Sequence, residues 1–402
     1  MKKIQIEAGA ETIIRALEQA GYEAYAVGGC VRDSLMGREP KDWDITTSAQ
    51  PEEVKAVFER TFDTGIQHGT VSVREHGRTY EVTTYRIDGS YADHRRPDHV
   101  EFTASLREDL ARRDFTINAM AYHPERGLVD YFEGVQDLER GRIRCVGDPL
   151  QRFEEDALRM LRALRFSARL GFTVDPPTWQ AIQEKAPLLG QVSKERIHEE
   201  LHQILLSEHP ESIETVQTAG LMPWCVPELA GQAVCYDALR KAPPRPVLRW
   251  AAFLQNLDGG QTDRVLRELR FDNDTRRRVV RLAAFRKVRL PEEPEAMRRF
   301  LHELGREHFE DLAALQLALG ASEEEQLPAR RQYEKQKDSC LEIRELQIGG
   351  KELSRIGVPE GPRIGAILER LLDAVLHDPE KNREEELLRM AREWLAGEGG
   401  EK

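Results

Sequence analysis

No apolar run in this sequence approaches the roughly 18 residues that would span a bilayer, so a membrane-spanning helix is not expected. Cysteine is scarce: Cys30, Cys145, Cys225, Cys235 and Cys340 are odd in number, scattered, and form no CxxC pair. That pattern excludes a disulfide framework and a zinc site and points to a reducing cytosol. Net positive charge is also missing. A formal charge of −12 excludes a generally adhesive polyanion binder, so any nucleic acid would need local basic surface. There is no fixed-period repeat and no low-complexity stretch. The first residues, MKKIQIEAGAETIIRALEQAG, are basic but turn at once into a charged amphipathic helix ended by Gly21, unlike a secretory leader. A cytoplasmic protein is expected.

What is present is 402 residues, 40% apolar and 32% charged, which is too long for one ordinary core and rich in solvated helix. The first third mixes strands and helices. EAYAVGG and GLVDYF read as strands, PEEVKAVF and LREDLARR as helices, and HGTVSVREHGRTYEVTTY as two strands about a His76–Gly77 turn. From about residue 150 the strand signal ends, and helical periodicity runs through EEDALRMLRALRFSARLG, SKERIHEELHQILLS, DTRRRVVRLAAFRKV and GPRIGAILERLLDAVLHD. KAPPRP (241–246) breaks this helical remainder, and a charged stretch near 322–345 marks a weaker boundary. The fold class is therefore α+β at the head and all-α beyond it.

The stretch 27–45, VGGCVRDSLMGREPKDWDI, carries the first chemistry. Side chains on a strand alternate, so Asp42 and Asp44 share one face while Trp43 and Ile45 take the other, facing the core. Two carboxylates that close are tolerable around a divalent cation such as Mg²⁺, which takes one or two carboxylates and fills its other positions with water and phosphate oxygens. A bare Asp-x-Asp reads first as a solvated strand end. The context favours the metal. Gly28 and Gly29 allow close approach of the backbone to a ligand, and Arg32 adds positive charge beside them. Glu81, on a neighbouring strand, either completes the metal site or is a plain edge-strand carboxylate.

GGxVRDxLxGRxxxDxDI resembles the first motif of the bacterial-type (class II) tRNA nucleotidyltransferase and poly(A) polymerase family. Further resemblances follow in order. YADHRRPDHVEF (91–102) is similar to the family's flexible loop, RRDFTINAMAY (112–122) to its ribose-contacting motif, and DYFEG (130–134) to its hinge. EEDALRMLRALRF (154–166) is similar to its base-selecting motif and VSKERIHEEL (192–201) to its helix-stabilising motif. The likeness is dense over about 25–205 and thin beyond. It implies a DNA-polymerase-β-like nucleotidyltransferase head over 1–145 and a base-selecting helical neck over 146–207. A body over 208–325 and a tail over 326–402, both helical, would bind tRNA.

The base-selecting segment can be argued without the family. Asp156 and Arg159, spaced i and i+3 on a helix, would project side by side as an acceptor and a donor. Cytosine and adenine each present an amino donor beside a ring acceptor and fit that pair. Guanine and uracil present the reverse and would be rejected, by up to roughly 10⁴-fold where the site is buried. The resemblance credits the same two residues with this role. Arg162 and Arg165 continue the helix face as triphosphate ligands, as supports of the pair, or as a merely solvated face. Arg113 and Asp114 would meet the triphosphate and the ribose 2′-hydroxyl, Asn118 would cap a helix, and Ser193, Glu195 and Arg196 would hold the base-reading helix through ion pairs.

Beyond the neck, residues 264–289 hold ten Lys/Arg against three Asp/Glu, a candidate track for an RNA backbone or ordinary solvated helices. Pro362 after Gly361 opens a helix whose first turn, with Arg363, would seat a phosphate. In RWAAFLQNL (249–257), Gln255 and Asn256 stand where some relatives carry a His–Asp metal phosphohydrolase pair, so no phosphatase activity is expected. The expected reaction is template-independent addition of C, C and A to tRNA from CTP and ATP. Its expected cofactor is Mg²⁺ on Asp42 and Asp44, with Glu81 beside them. A poly(A) polymerase or an A-adding enzyme would share this head, and a catalytically silent RNA-binding protein would lack the need for its acid pair. tRNA is the expected partner and no membrane is involved; a homodimer is admitted by the sequence without being specified by it.

Overall fold

The computed structural model describes residues 4–89 and 100–398, which divide into two compact units, one of residues 1–236 with 267–270 and one of 237–266 with 271–402. The expected loop YADHRRPDHVEF lies mostly outside the described residues.

In the first unit the order is α1 (Ala8–Gln19), β1 (Ala24–Val27), α2 (Gly29–Leu35), β2 (Asp44–Thr47), α3 (Pro51–Val57), β3 (Thr61–Gly65), β4 (Thr70–Glu75) and β5 (Arg78–Thr84). There follow β6 (Arg86–Asp88), β7 (Val100–Phe102), α4 (Leu106–Ala111), β8 (Met120–His123), β9 (Gly127–Asp130), α5 (Gly134–Glu139) and β10 (Arg142–Ile143). α6 (Pro149–Glu155), α7 (Leu158–Leu170), β11 (Thr173–Val174), α8 (Pro176–Lys185) and α9 (Lys194–Leu205) then carry the chain into helix. Seven strands form one sheet in the order β3-β4-β5-β2-β1-β8-β9, antiparallel except where β2 runs parallel to β5. The hairpin β4–β5 turns at His76 and Gly77, both at positive φ, which matches the primed turn that suits strand twist.

Each face of the sheet has its own core. α1 packs Ile13, Ile14 and Leu17 over Ala26, Ile45, Val71 and Val82; α4 packs Leu106 and Leu110 over Tyr25, Val27 and Ala121. Burial of a side chain such as Ile45 contributes about 1.5–3 kcal/mol, and a one-residue slip of β2 would forfeit it by turning Asp44 inward. β8 was not among the expected strands: after Asn118, expected to cap a helix, the apolar stretch Met120–Tyr122 is instead a buried strand beside β1.

The second unit is helical. Trp250, fully buried, meets Phe253 and Phe271 edge-on, and Phe309 stacks on Tyr333 at 4.1 Å. The break expected at KAPPRP separates helices Tyr236–Lys241 and Pro246–Phe253. Within the charged stretch near 322–345 runs helix Glu323–Gln336, which Ser322 and Glu325 open with a capping box.

Candidate active-site cleft

β1 ends at Val27 directly opposite Asp44, so the register of β1 on β2 sets the glycine turn beside the acidic strand. Gly28 adopts φ 81 and ψ −127, and a Cβ there would lie 3.0 Å from Arg113 Nη1. Both the backbone and the guanidinium therefore need glycine at this position. Trp43 and Ile45 point into the core as expected, while Asp42 and Asp44 are exposed. Only Asp44 lies in the strand; Asp42 precedes it, which corrects the expectation of a strand spanning both. Glu81 stands opposite Asp44 across the parallel β2–β5 pair. The surrounding protein pushes the Asp44 carboxyl above its ordinary range; Arg113 opposes this, and Glu81 and Asp42 add to it.

These residues fit a hard divalent cation. Among the described residues, none of the three carboxylates is engaged in an ion pair, and the donors are oxygen only, as Mg²⁺ or Mn²⁺ prefers. A cation would relieve the mutual repulsion felt at Asp44. No three His, Cys, Asp or Glu groups converge as a closed ligand set among the described residues.

Beside the acidic edge lies a cleft of about 440 Å³, within the range of nucleotide-sized pockets, lined by eight arginines and by Asp44, Asp114 and Asp156. Arg32, buried on α2, donates Nη1 to Asn118 Oδ1 at 2.5 Å and Nε to Asp33 at 2.8 Å. Asn118 in turn donates to Asp114 at 3.1 Å, so it holds the cleft wall rather than capping a helix. The two Asp114 oxygens are occupied: one takes the Phe115 N–H and Asn118, the other takes Arg162 Nε and Nη2 at 2.9 and 2.8 Å. Burial pushes Asp114 up, but Arg162 and Asn118 outweigh it and bring the carboxyl down to about 2.

Arg165 Nε approaches Glu200 Oε2 to 2.6 Å. Burial still moves both groups toward their neutral forms, Glu200 up and Arg165 down, against their attraction. The Phe166 ring has the guanidinium carbons of Arg32, Arg162 and Arg165 at 5.2, 5.7 and 4.5 Å from its centroid. Its electron-rich face supports three like charges in one wall.

The expected pairing of Asp156 and Arg159 on one helix needs correction. Asp156 sits in extended backbone at the break between α6 and α7, where its Oδ1 accepts the Leu158 N–H at 3.1 Å. An Asp that can cap a new helix competes with continuing the old one. Both residues nonetheless line the same cleft. Arg196 of α9 holds Asp156 at 2.8 Å, as the ion-pair reading of that segment expected. Arg159 is anchored by Glu155 Oε2 at 2.8 Å and by the Arg112 carbonyl at 3.2 Å.

The structure thus brings Gly28, Gly29, Arg32, Asp44, Arg113, Asp114, Asp156, Arg159, Arg162 and Arg165 to one cleft. Asp42 and Glu81 flank Asp44 at its edge. Reasoning from sequence missed Phe166, Glu155, Glu200 and the wall role of Asn118; the spacing of Phe166 one residue after Arg165 was the available signal for the first.

Residues 24–144 match the Poly A polymerase head domain, and 247–391 match tRNA nucleotidyltransferase domain 2. The chain is 38% identical over 393 residues to a CCA-adding enzyme of Limosilactobacillus reuteri, covering 96% of each chain. It is similar to the crystal structure of the Bacillus stearothermophilus CCA-adding enzyme in complex with CTP, with 34% identity, TM-score 0.83, and coverage of 98% and 100%. The fold also resembles the Thermotoga maritima CCA-adding enzyme complexed with tRNA, with 23% identity, TM-score 0.66, and coverage of 96% and 94%.

Proposed function

We infer the reaction from one premise: this chain belongs to the family of CCA-adding enzymes, the tRNA nucleotidyltransferases. It adds C, C and A to the 3′ end of tRNA from CTP and ATP without a template and releases pyrophosphate. The observation that carries the reading to particular residues is the single cleft in which an acidic strand end, an arginine wall and the Asp156–Arg159 pair meet.

The tRNA 3′-hydroxyl attacks the α-phosphorus and pyrophosphate leaves. Gly28 and Gly29 leave room for the triphosphate, and Arg32 and Arg113 take its charge. Asp42 and Asp44, with Glu81 beside them, would hold Mg²⁺, whose charge would favour ionisation of the attacking hydroxyl and offset charge on the leaving group. Asp156 accepts from the base amino group and Arg159 donates to the ring acceptor, which admits C and A and leaves like groups facing each other for G and U. Asp114 has its oxygens filled by protein donors, so it acts by fixing Arg162, and Arg165 completes the wall through Glu200.

The second unit supplies basic surface to the tRNA, along helix Asn273–Phe285 and at the first turn of helix Pro362–His377. The division into head (1–145), neck (146–207), body (208–325) and tail (326–402) belongs to the same proposal, its last boundary functional since it falls within a helix. No described helix is long and apolar enough to cross a membrane, and we place the reaction in the cytoplasm.

Primer extension on a tRNA transcript lacking its last three nucleotides tests the assignment. CTP alone should add two cytidines, CTP with ATP should complete the end with one A, and UTP or GTP should add nothing. Asp42→Ala and Asp44→Ala should each abolish extension, by at least about 10³-fold. Long A tracts from ATP alone would make this a poly(A) polymerase, and failure to use CTP would make it an A-adding enzyme.

A further inference from the structure

Arg113 can take triphosphate charge only if its long side chain is aimed. Its Nε is buried without a hydrogen-bond partner among the described residues, and its Nη1 abuts the space that Gly28 leaves empty. What orients it comes from α4. Asp109, with no exposed surface, lies with Oδ2 3.4 Å from Arg113 Nη2. The same oxygen accepts the Thr46 hydroxyl at 3.0 Å, and Oδ1 accepts Arg112 Nε and Nη2 at 3.0 and 2.8 Å. Thr46 is two residues beyond Asp44 on β2 and so shares its face. Burial alone would push Asp109 up, but Arg112 and Arg113 outweigh it and hold the carboxyl below the ordinary range.

We propose that Asp109 is a positioning residue that fixes the Arg113 guanidinium relative to the acidic strand, so that the triphosphate and the α-phosphorus are held in register. The inference rests on the reading that Arg113 binds the triphosphate. The geometry gives it content: one buried carboxylate is bonded both to the strand that begins at Asp44 and to the arginine beside it. A carboxylate serving only to stabilise α4 would need no bond to β2. A buried charge-assisted bond aims its partner strongly, because the alternative leaves a charge uncompensated.

The test is inhibition by pyrophosphate, which presents the phosphates without base or ribose, measured on the full chain with tRNA. Asp109→Asn keeps shape and removes charge. It should weaken pyrophosphate and raise KM for CTP and ATP alike, by about tenfold, with kcat changed far less. In an Arg113→Ala background the same substitution should add less than about twofold, since Asp109 acts through Arg113. If Arg113→Ala leaves pyrophosphate affinity unchanged, the triphosphate reading fails. If Arg113→Ala weakens pyrophosphate but Asp109→Asn does not, or if the two effects multiply, the positioning role is overturned. Should Asp109→Asn fail to fold, Thr46→Val removes one hydroxyl and keeps the β-branched shape. A weakening of about threefold, absent in the Arg113→Ala background, is then expected, and an unchanged affinity rejects the role.

Discussion

At the scale of single residues, the bonds around Asp114 decide what it can do. A carboxylate whose oxygens are filled by Phe115, Asn118 and Arg162 has no acceptor to spare for a ribose hydroxyl, so on the proposed reading Asp114 would act through Arg162. Its depression to about 2 is also a statement about stability. The folded state holds the proton less tightly than the unfolded chain, so the stabilisation is complete above the unfolded pKa of about 4 and is lost as pH falls toward about 2. Asp114→Asn should therefore cost about 2 kcal/mol at neutral pH, and the gap from wild type should close across that acid window. Denaturant unfolding at a series of pH values reads both quantities. A gap that persists unchanged at pH 3 would mean that shape, not charge, is what Asp114 supplies.

At the scale of elements, strand alternation and helical periodicity made much of the fold legible. DWDI told which side chains face the core, and the His76–Gly77 turn and the helices of the second unit stand where the patterns put them. What periodicity could not show was where a helix breaks for a polar reason. EEDALRMLRALRF scans as one helix because its apolar residues keep step across the break, and the Asp156 side chain ends one helix and starts the next. Phe166 was equally hidden, since an aromatic in an apolar stripe reads as core until three arginines are found around it. The break also gives α9 a role, since Arg196 reaches Asp156 from that helix and, on the proposed reading, holds the carboxylate that would accept from the base. Arg196→Met keeps the apolar stem and removes the ion pair, and its cost should fall on choice rather than rate. Misincorporation of U relative to C should rise by roughly tenfold while thermal stability changes little. A uniform loss of kcat with unchanged discrimination would assign Arg196 to folding alone.

At the scale of the whole molecule, a net charge of −12 has to coexist with an RNA substrate. Screening resolves the conflict, because at physiological salt a phosphate feels charges only within about 8 Å and so responds to local surface. Helix Asn273–Phe285 is the clearest such surface in the second unit. Arg278 is bonded to Asp311, but Arg277 is 75% exposed and, with Arg281, lines one groove. Arg277→Ala with Arg281→Ala should raise KM for tRNA and lower the steepness of its salt dependence by about one for each phosphate left without its arginine. KM for CTP should stay unchanged, because the cleft proposed for the nucleotide is built wholly from the first unit. Titrating KM for tRNA against salt in the wild type and the double variant separates this from mere destabilisation, which would leave the slope alone. An unaltered slope would move the RNA off this helix, and the first turn of Pro362–His377 would become the surface to neutralise next.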